Sequence, residues 1–308
     1  MKVSIAIPTH NRANFLRQTL EGIARQDFPH AQFEILVIDN NSRDDTRAVV
    51  ESFADGRPAP RYFLETKQGL DHARNRAIAE ASGDIILFAD DDILVEPDWI
   101  AALIAPFSTH GTGTIGAVGG EVVPVFPDGL PRWMSDAHGP LGYRTDAGPL
   151  PPNQSPMGAN LAIPRWIFEK HGRFHTELDR QGDRLFSGGD GEMITRLRTA
   201  GLGIWFAPAA KVLHQIPASR LTLRYALRHG FDSARSRVLD RAGKPGAAGY
   251  LASRFPINLV KVPFFILLAL LNVLCLRTGA MKKAIVRAWR SCGYLYQITR
   301  SSIGRNSI

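Results

Sequence analysis

Three consecutive carboxylates, Asp90, Asp91 and Asp92, follow directly on the apolar run Ile85-Ile86-Leu87-Phe88-Ala89. Neighbouring like charges disfavour one another's ionisation unless something positive sits among them. Oxygen ligands suit hard ions, so the chemistry this triplet offers is the holding of a divalent cation, Mg²⁺ or Mn²⁺. The alternative is a solvated acidic turn leading into a helix that begins near Pro97. The apolar run reads as a buried strand, and in open α/β sheets ligands bind just beyond the carboxyl ends of strands, where the triplet falls.

The elements that must position such a site alternate along the first ninety residues. Val3 to Ile7 reads as a strand, stopped by Pro8-Thr9-His10-Asn11-Arg12, and Phe15, Leu16, Leu20, Ile23 and Ala24 then recur at helical spacing. A second strand, Glu34 to Ile38, ends in Asp39-Asn40-Asn41-Ser42. Ser42 is expected to cap the next helix, with Asp44 and Asp45 in its first turn, where the dipole favours acids. Arg61 to Leu64 reads as a third strand, Leu70 to Ala81 as a helix carrying Arg74-Asn75-Arg76, and Gly83 leads into Ile85. This alternation predicts right-handed crossovers and a mostly parallel sheet flanked by helices. Thr9, Asp39 and Asp90 would then line one crevice, as in a nucleotide site. Neither G-x-G-x-x-G nor G-x-x-x-x-G-K-[ST] occurs, so phosphates must be held another way; a cation on the Asp triplet would serve, which points to a nucleotide diphosphate.

At 308 residues and 44% apolar content the chain can bury a full core, so disorder is not expected. Its two cysteines, Cys275 and Cys292, suggest a reducing compartment without a disulfide framework. The strand pattern starts at residue 3, which leaves no room for a signal peptide and places the catalytic part in the cytosol as an expectation. The net charge of +8 hides an asymmetry: 17 Lys+Arg face two acids from Lys211 onward, against 20 and 27 before it, so the two parts carry +15 and −7. Such a tail meets nucleic acid or an anionic membrane surface. No zinc spacing or aromatic-basic platform accompanies it, so nucleic acid is not expected as a partner.

Four segments in this order, Ser4-Ile5-Ala6-Ile7-Pro8-Thr9-His10-Asn11-Arg12, Val37-Ile38-Asp39-Asn40-Asn41-Ser42, Ala73-Arg74-Asn75 and Ala89-Asp90-Asp91-Asp92, resemble the family 2 glycosyltransferases of the GT-A fold. The resemblance runs from residue 3 to about 235. It implies a nucleotide-sugar donor, usually uridine-linked, and inversion at the anomeric carbon. Carried over, it implies donor-nucleotide contacts at Pro8, Thr9, Asn11, Arg12, Asp39, Arg74, Asp90 and Asp91. Thr9 and Asp39 would lie at the base, Arg74 at the base or ribose, Asp90 at the ribose and Asp92 at the metal. A plain turn-and-cap role is the alternative for Thr9 and Asp39.

The second half should serve the acceptor and sugar. Gly119 to Pro156, rich in Pro and Gly and containing Trp133, reads as a substrate-shaping loop. Gly158-Ala159-Asn160-Leu161-Ala162-Ile163 reads as a strand and resembles the family segment lining sugar and acceptor; tight packing is the other reading of Gly158 and Ala159. Ser187-Gly188-Gly189-Asp190-Gly191-Glu192-Met193 opens a helix whose Ile194 and Leu197 face inward. An acid at a helix N-terminus is stabilised as the ion, which a general base requires. Family members often carry Glu-Asp here, so the resemblance implies Asp190 as the base; an N-cap role is the alternative. Glu192, two residues on, should point elsewhere, to the acceptor or a basic partner. Gly203 to Phe206 and Lys211 to His214 read as two short strands, and the resemblance implies His214 near the diphosphate and metal, against a structural histidine. Arg220, Arg224 and Arg228 recur on one helix face, able to meet a phosphate or only solvent.

Leu259 to Leu276 is apolar except for Lys261 and Asn272, close to the ~20 residues a spanning helix needs. Downstream, Lys282, Lys283, Arg287 and Arg290 alternate with apolar residues in a basic amphipathic pattern. A peripheral or monotopic anchor on the cytoplasmic face of the inner membrane fits best, because a single span, the alternative, would put the basic end outside the cytoplasm. The expected organisation is a GT-A domain over 1–215, a helical extension over 216–250 and a membrane-associating helical tail over 251–308. The expected partners are the donor, a glycan or lipid-linked acceptor and an anionic membrane. Two other roles stay open: a non-catalytic sugar-nucleotide-binding subunit, which has no need of Asp190, and a nucleotidyltransferase, which shares acidic metal sites.

Overall fold

The computed structural model describes residues 1–56, 58–134, 146–177, 185–186, 188–242, 244 and 246–303. Among them two compact units separate, one within 1–125, 139–176 and 189–215 and the other within 126–138, 177–188 and 216–308.

The first unit is built on one sheet. β1 (Val3–Thr9), β2 (Phe33–Asp39), β3 (Arg61–Leu64) and β4 (Ile85–Ala89) lie in the order β3-β2-β1-β4, all parallel. β1 and β4 are buried along their whole length, so their apolar runs do not alternate with polar residues. Instead alternate residues serve two cores: Val3, Ile5 and Ile7 join one with Leu16, Leu20 and Trp99, while Ala6, Ile86 and Phe88 join another with Ile167 and Leu197. The crossovers are α1 (Ala13–Ala24), α2 (Thr46–Glu51) and α3 (Leu70–Glu80). α2 starts later than expected: Ser42 does not cap it, and Asp44 instead accepts from Thr46 N and from Ala13 N at the start of α1.

Beyond β4 the sheet becomes mixed. β5 (Ile93–Val95), α4 (Trp99–His110), β6 (Ile115–Val125), β7 (Gly148–Pro149), β8 (Asn160–Pro164), α5 (Arg165–His171), α6 (Gly189–Thr199) and β9 (Gly203–Gln215) complete the unit. β8 runs antiparallel between β4 and β6, and β9 runs parallel to β6 and antiparallel to β5 and β7. Two expectations are corrected here. Gly119 and Gly120 do not open a loop; they lie inside β6, where a Cβ on Gly120 would fall 1.9 Å from Ala210 O and 2.2 Å from Asn160 Nδ2. The two short strands around Pro208 are one strand, because register slips between Gly120 and Val122 and the excursion is pinned by Asn160, whose Nδ2 donates to Glu121 O and Ala210 O. Residues 135–145, in the middle of the expected loop, and Ser187 lie outside the described residues.

The second unit holds α7 (Leu223–Ala242), α8 (Ala247–Leu274) and α9 (Thr278–Ile303). Arg220 falls in a separate 3₁₀ turn, Ala218–Leu221, so it does not share a helix with Arg224 and Arg228. α9 packs on both α7 and α8. Ala234 and Val238 meet Tyr294 and Ile298, with Leu251 against them. On α8, Leu251, Arg254, Asn258, Val262, Phe265, Ala269 and Asn272 recur every three or four residues as the shielded stripe, while Leu259, Val260, Phe264, Leu267 and Leu270 are exposed. Cys275 and Cys292 are both free.

Candidate active site

Parallel order puts the carboxyl ends of β1, β2 and β4 side by side, and the loops leaving them are stitched together. Asn11 and Asn41 both adopt positive φ, 53° and 66°, which asparagine tolerates better than most residues. Asn11 N donates to Ser42 Oγ and Asn11 Oδ1 accepts from Arg43 N, so Asn11 ties one loop to the next. Asp39, buried at the end of β2, accepts from Ser42 N and from Tyr62 Oη at 2.8 Å each. Burial and the Asp39 carboxylate push the Tyr62 hydroxyl up to about 12, so it stays a donor. Pro8 and Thr9 close β1 opposite Ile38 and Asp39.

Around the acid triplet the chain supplies a cation of its own. Arg12 Nη1 donates to Asp91 Oδ1 at 2.9 Å and to Asp92 Oδ2 at 2.5 Å, and Thr9 Oγ1 donates to Asp91 Oδ2 at 2.8 Å. Burial works against the Arg12 charge, but the two carboxylates outweigh it and hold the guanidinium ionised above its ordinary range. Burial in turn pushes Asp91 upward, against the pull of Arg12. Thr19 Oγ1, from α1, donates to the carbonyls of Asp91 and Ile93 and fixes the backbone of the triplet.

Asp92 faces His214 because β5 pairs Ile93 with His214 and Gln215 N donates to Asp92 O. His214 Nε2 lies 3.0 Å from Asp92 Oδ1, yet the two buried atoms are not aligned as a hydrogen bond. Together with Asp90 they offer three ligand atoms within 4.8 Å of one another. Converging atoms with a carboxylate-rich donor set fit a divalent cation. Asp90, for which the resemblance implies a ribose contact, is therefore also a candidate ligand of such a cation.

Asp190 sits at the start of α6, half-buried, and is held from two sides. Arg74 Nη1 donates to its Oδ1 at 2.7 Å, and Gly158 N donates to its Oδ2 at 3.0 Å. Gly158 must lack a side chain, since a Cβ would lie 2.3 Å from Arg74 Nη2 and 2.5 Å from both Asp190 oxygens. Arg74 is itself buried, packed over the Phe174 ring at 5.3 Å and paired with Asp71 Oδ1 at 3.1 Å. Asp71, fully buried, was not singled out by the sequence; an acid three residues before Arg74 in one helix was the available signal. Because β8 pairs Asn160 with Ala89, the Gly158-Ala159 segment that holds Asp190 enters the sheet beside the strand leading to Asp90.

Three other expected residues make contacts of their own. The Asn160 side chain, with no exposure, accepts from Trp99 Nε1 and donates to two carbonyls, so its polar atoms serve the scaffold. Glu192 does point away from Asp190, to Arg196 on the same helix, with His175 Nε2 at 3.7 Å. Trp133 belongs to the second unit, where Lys282 Nζ lies 5.7 Å from its ring centre.

Comparison with known proteins identifies the family and the fold. The sequence profile of glycosyl transferase family 2 matches residues 4–172. Glycosyltransferase AglE of Haloferax volcanii is 27% identical over 240 residues, covering 78% of this chain and 75% of that protein. Succinoglycan biosynthesis protein ExoM of Rhizobium meliloti is 27% identical over 241 residues, covering 77% and 74%. Among solved structures, the mannosyltransferase PcManGT of Pyrobaculum calidifontis, in complex with GDP-Man and Mn²⁺, superposes with a TM-score of 0.62 at 21% identity, over 96% of this chain and 86% of that one. The sheet and its flanking helices are the GT-A fold.

Proposed function

The chain belongs to glycosyl transferase family 2, and from that membership we propose that it moves a sugar, with inversion, from a nucleotide-diphosphate sugar to a hydroxyl of a glycan or lipid-linked acceptor. One relative is a succinoglycan biosynthesis protein, and a cell-surface glycan is the corresponding reading here. The single observation that carries the proposal is the pairing of two centres in one unit: the Asp90, Asp92 and His214 cluster, and Asp190 gripped beside it by Gly158 and Arg74.

In this reading Asp190 takes the proton of the acceptor hydroxyl. The side chain is 32% exposed, so the hydroxyl can reach it. The acceptor oxygen bonds to the anomeric carbon as the carbon–oxygen bond to the diphosphate breaks on the opposite face, and the nucleoside diphosphate leaves with the electron pair. This is inverting displacement with an alcohol in place of water. Asp90, Asp92 and His214 would hold a divalent cation, with the imidazole leaning toward Mn²⁺ over Mg²⁺, whose chemistry is to stabilise charge growing on the leaving phosphate. Thr9 and Asp39, at the neighbouring strand ends, are assigned to the nucleotide, with uridine the base the family most often uses.

Unit two would hold the chain on the cytoplasmic face of the membrane. An 18-residue window of α8 has mean hydropathy 2.2 and is 11% buried, which supports insertion of its exposed face. A span is disfavoured because α9, packed on α8, would bring Lys282, Lys283, Arg287 and Arg290 toward hydrocarbon at about 2.5–3.5 kcal/mol each.

A thermal-shift panel of uridine, guanosine, thymidine and adenosine diphosphates with and without Mn²⁺ tests the donor site, since ligands that bind the folded state raise its apparent stability. A metal-dependent shift with one base is expected. No shift with any of them sinks the transferase reading and favours a binding or scaffold role.

A further inference from the structure

Arg12 stands where its charge bears directly on the cation cluster. It follows Asn11, whose positive φ and bonds to Ser42 and Arg43 fix the turn after β1. From there its guanidinium covers two of the three acids: the Arg12 side chain is 21% exposed, while those of Asp91 and Asp92 are 6% and 1% exposed. Nη1 is shared between Asp91 Oδ1 and Asp92 Oδ2, and Thr9 Oγ1 donates to the other Asp91 oxygen. Both Asp91 oxygens are therefore engaged, which fits its place outside the cluster of Asp90, Asp92 and His214. Asp92 differs, because it belongs to that cluster and to the Arg12 ion pair at once.

A carboxylate that serves a guanidinium gives up part of its attraction for a second cation, and two cations on one group repel each other. From this we propose that Arg12 is a built-in competitor of the divalent cation at Asp92, which weakens cation binding to the free protein and couples it to the nucleotide. Asp91 and Thr9 hold the competitor in place. A diphosphate offers the guanidinium oxygen acceptors in the same forked arrangement as a carboxylate, so its arrival relieves the competition. Linkage then requires the cation to strengthen nucleotide binding by the same factor as the nucleotide strengthens cation binding. The inference rests on the cation site of the proposed function and adds the residue that controls its affinity.

The test titrates Mn²⁺ into the purified full-length chain and reads the free ion by electron paramagnetic resonance, alone and with uridine, guanosine, thymidine or adenosine diphosphate. Without nucleotide, Arg12→Gln should bind Mn²⁺ roughly 10-fold more tightly than wild type, and the strengthening given by the nucleotide should shrink by about the same factor. Arg12→Gln/Asp91→Asn removes the guanidinium together with its buried partner, so it orphans no carboxylate at position 91 and leaves the net charge unchanged; it should show the same tightening. Arg17→Gln, an equal charge lost from an exposed position of α1, should change the affinity by less than about twofold. Unchanged or weaker Mn²⁺ binding in both Arg12 variants would make Arg12 a positioning residue for Asp92 and overturn the competition. Tightening in the single variant but not in the double, or equal tightening in Arg17→Gln, would overturn it in favour of net charge. Uptake by wild type that none of the four nucleotides strengthens would overturn the coupling. Wild type that takes up no Mn²⁺ under any of these conditions refutes the cation site itself, whereas uptake by wild type with no gain in the variants refutes only the role of Arg12.

Discussion

Asp71 and Arg74 reach the proposed base, Asp190, through a chain of ion pairs, and their burial makes the effect testable. A guanidinium shared between two carboxylates fixes where Asp190 points, and a misplacement of an ångström at a reacting group costs about 10²-fold. Asp71→Asn should therefore lower kcat by roughly that factor while KM for the donor changes far less. Arg74→Lys, which keeps charge but not the fork, should retain more activity than Arg74→Gln. Unchanged kcat in Asp71→Asn would make Asp71 a packing residue. At this scale the sequence was informative about types and poor about reach. The acid triplet announced that positive charge belonged among its members, but that Arg12 supplies part of it depends on β1 lying beside β4. The contacts of Arg74 were equally hidden, because Asp190 is 116 residues away.

Two polar side chains hold elements in register, and both give measurable consequences. Asn160 links β8 to β6, β9 and the Trp99 indole; Asn160→Ala would leave two carbonyls and one N–H without this partner. At about 1–3 kcal/mol for each buried orphan, a loss of at least 3 kcal/mol in urea unfolding is expected, and a loss under 1 kcal/mol would show that water replaces the amide. Glu34 gathers β1, β3 and the entry to β4. Burial raises its pKa, yet Ser4, the Ser82 backbone and hydroxyl, and Arg61 outweigh burial and hold it at about 2. A depressed folded value stabilises above the unfolded value of 4.5, and that stabilisation is lost as pH falls toward about 2. The stability gap between wild type and Glu34→Gln should be constant above pH ~5.5 and narrow through pH 4 to 3; a gap independent of pH would contradict the ion's role. Local periodicity was enough to read the parallel half, β1 to β4. The mixed half was not legible, since Pro208 and the Gly119-Gly120 pair look like breaks until Asn160 and the bulge are seen to reconcile them.

Across the whole chain the charge division, −7 before Lys211 and +15 from it onward, sets an acidic part that carries nearly all of the sheet against a basic part that carries the three long helices α7, α8 and α9. That division was readable from composition alone. The strand order that joins Asp92 to His214 was not, because it depends on a pairing across some 120 residues of chain between β5 and β9. The measurement that bears most directly on the proposed transfer compares Asp190→Asn with wild type in two assays of the same preparation, sugar transfer and the Mn²⁺-dependent stability shift with the nucleoside diphosphate. Loss of a placed general base should lower transfer by roughly 10²–10⁴-fold with the nucleotide shift retained. Undiminished transfer, or loss of the nucleotide shift together with activity, would contradict Asp190 as the base.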